Sequence, residues 1–421
     1  MKLITTSGRG SSAGRKRLEA LLAHRSAAYE RVMPAVRRIV EGMRKGGDAA
    51  LSRYAVRFDG NKLPSQLQIS PEEMHNALEA ASPAFVRALR TAAKNIRAFA
   101  ELQKPKDWNF SPASGVTVGQ RIRPISNVGC YVPSGRYPLP STLLMTVIPA
   151  QVAGVERIVV VSPRPAPETL AAAAMLGITE FYRIGGAHAI AALAYGTKKI
   201  ARVDKIVGPG NAFVTAAKKL VAFDCAIDML AGPTEIVVTS ENGNADEIAS
   251  DLVAQAEHDS DAQAIFITTK DALANAVAAS VKQRTRSNKV AAEAIARNGM
   301  VIVASSVEEA RSITNALAPE HLTVDAMEDF AWVKNAGSVF VGRFSAQPLG
   351  DYISGPNHTL PTSGLARVRG GLSVMDFLKV IAVQEYSAEG LRHFGSAAIT
   401  LAEAEGLLGH AQAIRARGAN E

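Results

Sequence analysis

Apolar positions along the chain fall into distinct textures. From Arg15 to Leu102, Ala, Leu and Val recur at helical spacing among mixed charges, with breaks at Gly46-Gly47, Asp59-Gly60 and Ser70-Pro71. Ser70-Pro71-Glu72-Glu73 carries a helix start: a capping hydroxyl, a proline at the first position and a Glu three residues after the cap. Residues 104–114, with Pro105, Trp108 and Pro112, read as a connector. From about Ile122, short apolar runs alternate with helical segments. The pattern predicts strands over 157–162, 180–184 and 205–207, separated by helices over 166–176, 187–195 and 212–223. The same alternation predicts strands over 235–239, 264–268, 300–303 and 337–341, with helices over 246–257, 272–283 and 307–317. Wholly apolar strands alternating with helices imply parallel sheets covered on both faces. Two α/β units follow, 127–234 and 235–372, and the tail 374–417 reads as helical.

Composition narrows the class. The 421 residues are 47% hydrophobic and include two cysteines, which excludes a disordered chain and a disulfide framework. Cys130 and Cys225 read as reduced, inert thiols of a cytoplasmic protein. No run approaches a membrane span, and the opening 17 residues lack the apolar segment of a secretory signal. The net charge of +8 is uneven: residues 1–106 hold 20 Lys and Arg against 9 Asp and Glu. Those charges alternate with Leu, Ala and Val at helical spacing and are not interleaved with aromatics. They therefore read as a solvated helical face, and no nucleic-acid or membrane partner is expected.

Candidate chemistry is dispersed. No G-x-G-x-x-G opens a helix after a strand. Gly185-Gly186 and Gly208-Pro209-Gly210-Asn211 each lie between a strand and a helix, as tight turns or as anion contacts. Gln255 and His258 share a helical face and can converge on one metal ion, but are too few to hold it. The histidines are His24, His75, His188, His258, His321, His358, His393 and His410. Three have acids nearby: Glu320-His321, Asp351 with His358, and Glu405 with His410. Spacing alone makes each more often a surface or core histidine than a ligand. Glu320-His321 is also a candidate pair for proton transfer.

Taken together, GCYVPSGRYPLPSTLLMTVIPAQVAGV, RIGGAHAIAALAYGT, VDKIVGPGNAFVTAAKKLV, IDMLAGPTE, DLVAQAEHDSDAQ, APEHL, LGDYISGPNHTLPTSG and EAEGLLGH resemble the histidinol dehydrogenase family. The resemblance runs from about Gly46 to His410. It implies oxidation of L-histidinol to L-histidine through the aldehyde, with Zn2+ and two NAD+. The implied zinc ligands, which also bind substrate through the metal, are Gln255, His258, Asp351 and His410. His321 would be the general base and Glu320 would activate water; Thr234, His358 and Glu405 would line the substrate. Tyr131, His188 and Asn211 would contact NAD+.

The implied architecture is α/β: two Rossmann-like units with parallel sheets, a helical N-terminal region and a helical tail. Residues 1–126 would pack on the 235–372 unit, which carries zinc and the catalytic residues, while 127–234 binds NAD+. The tail 373–421 would be exchanged in a homodimer, so that Glu405 and His410 act in trans. Three positions depart from the family pattern: His188 stands for Gln, Thr234 for Ser, and Ser134 for a Gly in the turn ending at Gly135. The alternatives are a relative that oxidises another small alcohol, such as a hydroxy-sulfonate, and a zinc hydrolase or metal-binding protein. Glu405 discriminates, because a carboxylate suits an imidazole N–H and a sulfonate wants a cation.

Overall fold

The computed structural model describes residues 1–7, 11–23, 28–60, 67–134 and 137–418; His24 and Gly135 lie outside them. The first of two six-stranded sheets runs Gln68–Ile69, Glu180–Tyr182, Arg157–Val161, Asn127–Tyr131, Lys205–Val207, Ala226–Ile227. All its pairings are parallel except the Gln68–Ile69 edge. The second runs Lys2–Thr5, Met300–Val303, Gln263–Thr268, Glu235–Thr239, His321–Val324, Ser338–Val341, and is wholly parallel. Their central strands are buried on both faces, as in Glu235–Thr239 (EIVVT) and Met300–Val303 (MVIV), which explains the unbroken apolar runs.

The N-terminal helices differ from expectation. Helix Ala28–Tyr54 packs on Gly186–Tyr195 and Ala212–Val221, Pro71–Ala80 on Pro167–Met175, and Pro83–Gln103 on Pro140–Ala153. All three cover the 127–234 unit, although Pro83–Gln103 also meets the 235–372 unit, with Asn95 Nδ2 donating to the Ile353 carbonyl at 2.8 Å. Only the strand Lys2–Thr5, with the helix Ser11–Ala23 against it, joins the second sheet. Val36, Val40, Met43 and Leu51 thus share a core with Ile184, Ile190 and Val214. An apolar helical stripe records that a face is buried but not which sheet covers it.

Two further segments were misjudged. Residues 104–114 contain a strand, Trp108–Ala113, and the tail opens with a strand, Leu378–Tyr386. These flank Val116–Pro124 in an antiparallel three-stranded sheet. LKVIAVQEY is rich in β-branched residues, so pairing with Val116–Pro124 prevails over helix. Helices Ala388–Ala404 and Leu408–Arg415 then pack mainly on each other around Ile399, Ala402 and Ala411. No helix among the described residues is long and apolar enough to cross a membrane.

Candidate active site

The two sheets present opposite ends to one cavity of about 580 Å3. From the first come residues that follow strands, Pro133 and Gly208 to Asn211; from the second come residues at strand starts, Thr234, Glu320 and His321. Gln255 ends the helix Ala245–Ala256, His258 follows it, Asp351 lies on the helix Gln347–Tyr352, and His358 lies on the loop beyond. A cavity of this size accommodates a small substrate with part of a cofactor.

His321 is buried and opens its strand in register with Ile236. Its Nδ1 lies 3.0 Å from the Glu235 carbonyl oxygen, an acceptor, so Nδ1 carries the proton. Nε2 is buried without a hydrogen-bond partner; Asp351 Oδ1 is 3.6 Å away, an ion-pair distance but too long for a hydrogen bond. Burial pulls the imidazole pKa down, but the Glu320 and Asp351 carboxylates overcome it and raise the value to about 9. Glu320 is raised, chiefly by burial. Its Oε2 accepts from the Thr234 hydroxyl at 2.6 Å and from Glu235 N–H at 2.8 Å.

The donor set for a cation is partly assembled. Gln255 is buried; its Nε2 donates to Thr234 Oγ1, while Oε1 has no partner. Asp351 Oδ2 accepts from Gln347 at 2.7 Å, and the acid is held below its usual value, the pairing with His321 outweighing burial. An amide oxygen, an imidazole and a carboxylate lining one cavity are donor types that suit a borderline divalent ion such as zinc. Among the described residues no three His, Cys, Asp or Glu side chains are grouped to hold a metal. Gln255, His258 and Asp351 supply two side chains of these types and one amide. His410 and Glu405 are exposed at the end of the tail and do not line the cavity.

His358 is fixed at both nitrogens. Nδ1 lies 2.9 Å from the Asp351 carbonyl oxygen and Nε2 3.3 Å from Thr142 Oγ1, and burial lowers its pKa. Of the three residues expected to contact NAD+, Asn211 alone lines the cavity; its side chain caps the helix Ala212–Val221 by accepting from Phe213 and Val214 N–H. Tyr131 is buried, with its hydroxyl accepting from Gly186 N–H at 3.1 Å. His188 is buried against the stacked rings of Tyr54 and Phe58, with Nε2 2.7 Å from Asp59 Oδ2. Neither Tyr131 nor His188 reaches the cavity. Burial pushes the Cys130 and Cys225 thiols up to about 12, consistent with inert packing.

Several supporting residues had escaped sequence reasoning. Gln347 holds Asp351 from one helical turn away, a spacing that was readable. Thr142, Glu235, Asp59 and the buried Lys218–Asp228 pair carry no local signal. Lys218 Nζ is 2.6 Å from Asp228 Oδ1 and 2.5 Å from Gly208 O, while Asp228 Oδ2 accepts from Gly208 N–H at 2.7 Å. Gly208 itself is at φ 113°, and a Cβ there would sit 2.1 Å from Tyr131 O.

The family model for histidinol dehydrogenase matches residues 22–418. A histidinol dehydrogenase of Gluconobacter oxydans is 44% identical, with 99% of each chain covered. One of Geobacillus kaustophilus is 47% identical over 91% of this chain and 93% of its own. The crystal structure of histidinol dehydrogenase from Elizabethkingia anophelis superposes with a TM-score of 0.91 at 34% identity, covering 99% of this chain and 98% of that one. The chain belongs to the histidinol dehydrogenase family.

Proposed function

We propose that this chain oxidises L-histidinol to L-histidine by way of the aldehyde, reducing two NAD+, at a zinc site completed by a second copy of the chain. The observation that carries the reading is a set of buried, unpartnered polar atoms on residues that line the cavity, among them His321 Nε2 and Gln255 Oε1. Buried polar atoms ordinarily find partners, so such orphans together mark a place for a ligand.

Gln255, His258 and Asp351 would hold zinc with His410 of the partner subunit. Bound there, zinc would supply a Lewis-acidic anchor for the substrate's nitrogens and would draw on the Asp351 charge, which with that of Glu320 raises His321. His321 Nε2 takes the hydroxyl proton as hydride passes to the first NAD+. Glu320 takes a proton from the water that adds to the aldehyde, and hydride from that hydrate passes to the second NAD+. Burial raises Glu320 toward the range in which a carboxyl exchanges protons near neutrality. His358, held at both nitrogens, and Thr234 both line the cavity that would take the substrate. The Gly208 to Asn211 loop is the nucleotide side, with backbone N–H groups next to a helix start.

Support for the trans arrangement comes from the tail. Val380, Ile381, Tyr386, Leu401, Leu407 and Leu408 are exposed, and Glu405 and His410 stand away from their own cavity. Such an arm buries its apolar side only against another chain. Glu405 of the partner subunit would then meet the substrate imidazole.

The test is NADH yield with zinc-loaded protein. Two NADH per L-histidinol, abolished in His321→Ala with zinc retained, is the expected result. Turnover of a hydroxy-sulfonate alone, or no NAD+ reduction with any alcohol, overturns the reading. Mixing Glu320→Ala with His410→Ala chains should restore activity if the site is shared between chains, and fails to if it is not.

A further inference from the structure

Thr234 sits between two groups with different tasks, Gln255 and Glu320. A hydroxyl has one proton to give. Thr234 gives it to Glu320 Oε2, 2.6 Å away, an oxygen that also accepts from the Glu235 N–H at 2.8 Å. Oε2 is therefore an acceptor whichever state the carboxyl is in, because a proton on Glu320 would sit on Oε1. With its proton committed, Thr234 Oγ1 can only accept from Gln255. The amide must turn its NH2 to Thr234, and its oxygen then faces the other way. That oxygen is the buried, unpartnered Oε1 on the cavity wall.

We propose that Thr234 is a positioning residue for the metal: its hydroxyl, polarised by Glu320, fixes the Gln255 amide with its oxygen presented to zinc. The inference rests on the zinc reading above and deepens it. It moves Thr234 from the substrate wall to a link behind the metal, since its hydroxyl is occupied from both sides. It also explains how a neutral amide serves as a ligand. Without the link, Gln255 is free to flip and to offer a positively polarised NH2 to a cation. The Thr methyl has no part in the chain, so Ser is an equivalent residue for this purpose.

The test is zinc affinity, by competition with a chromophoric chelator, on purified full-length protein, with no reaction run. Partners that orient metal ligands contribute about 10–100-fold in metal affinity. Thr234→Val keeps the shape and removes the hydroxyl, and should weaken zinc by about that factor. Thr234→Ser should stay close to the wild type. Gln255→Ala, measured alongside, reports on the zinc reading itself. If Gln255→Ala binds zinc as the wild type does, the zinc assignment of Gln255 fails. If Gln255→Ala is weakened but Thr234→Val is not, the proposal fails and the zinc reading stands. A Thr234→Ser variant as weak as Thr234→Val also overturns it, since the effect would then come from packing. Should Thr234→Val not fold, Thr234→Ala carries the same expectation and the same refuting result.

Discussion

Glu235 is a buried acid whose proton should be measurable in the stability of the fold. Its Oε1 accepts from Ser363 N–H at 2.8 Å, and it lies beside Glu320 at the start of a central strand. Burial, assisted by the Glu320 charge, pushes its pKa from 4.5 up to about 8. The folded chain thus keeps a proton that the unfolded chain releases near pH 4.5. Between those values the native state binds more protons, so stability falls as pH rises; the contribution is full below pH 4.5 and lost above about 8. At 1.36 kcal/mol per pKa unit the loss is at most about 5 kcal/mol. Glu235→Gln keeps the acceptor for Ser363 and cannot ionise. Unfolding entropy scales with length, so each kcal/mol moves the Tm of a chain this long by about 1 °C. Melting curves of both proteins between pH 5 and pH 9 should diverge, with the variant gaining up to about 5 °C on the wild type at the alkaline end. Parallel curves would refute the reasoning, and a gap widening toward acid would reverse its sign.

Two further substitutions probe the Gly208 to Asn211 loop, proposed above to meet the nucleotide. Lys218→Met leaves Asp228 as a buried, unpaired charge and should cost about 3–5 kcal/mol in melting experiments. Adding Asp228→Leu should recover much of that stability without restoring the anchor of Gly208, so KM for NAD+ stays high in the double variant; a double variant with wild-type KM sinks the anchoring role. Gly208→Ala places a Cβ against the Tyr131 carbonyl at φ 113° and should destabilise the fold by about 2–5 kcal/mol. A soluble variant with an unchanged Tm would show that the loop yields freely.

The alternation of strands and helices was legible because parallel strands buried on both faces must be apolar throughout, as Arg157–Val161 and Met300–Val303 are. The strand Leu378–Tyr386 was lost for a physical reason. It is exposed along most of its length and paired at one edge, so neither burial nor alternation marks it. The placement of the N-terminal helices was equally unreadable, since Val36 and Met43 would suit any apolar surface of the right shape. Two short strands, Lys2–Thr5 and Trp108–Ala113, acquire their state only through partners remote in sequence, Met300–Val303 and Val116–Pro124.

For the site, the sequence supplied names and the fold supplied directions. Glu320-His321 was visible as an adjacent pair, but adjacency leaves open which nitrogen faces the substrate. The Glu235 carbonyl decides that by taking Nδ1–H, leaving Nε2 for the cavity. Likewise, Gln255 and His258 at three-residue spacing suggest a shared ion, yet the amide is a ligand only if its oxygen is turned outward. That orientation is set by Thr234 and, through it, by Glu320, 86 residues along the chain from Thr234. The backbone of Glu235 serves both side chains of the proposed acid–base pair at once: its N–H holds Glu320 and its carbonyl holds His321. A strand start is well suited to this, because the first residue of a parallel strand offers both groups toward its neighbour in the sheet. His188 shows the opposite case. A family position that would meet the nucleotide here carries an imidazole that finds a closer carboxylate in Asp59, and a buried pair at 2.7 Å holds it there. Returning Gln to this position would break that pair and leave Asp59, among the described residues, with the Gly185 N–H and whatever the amide can donate. The departure at 188 and the acid at 59 must therefore be read as one unit, and changing either alone should cost more stability than changing both.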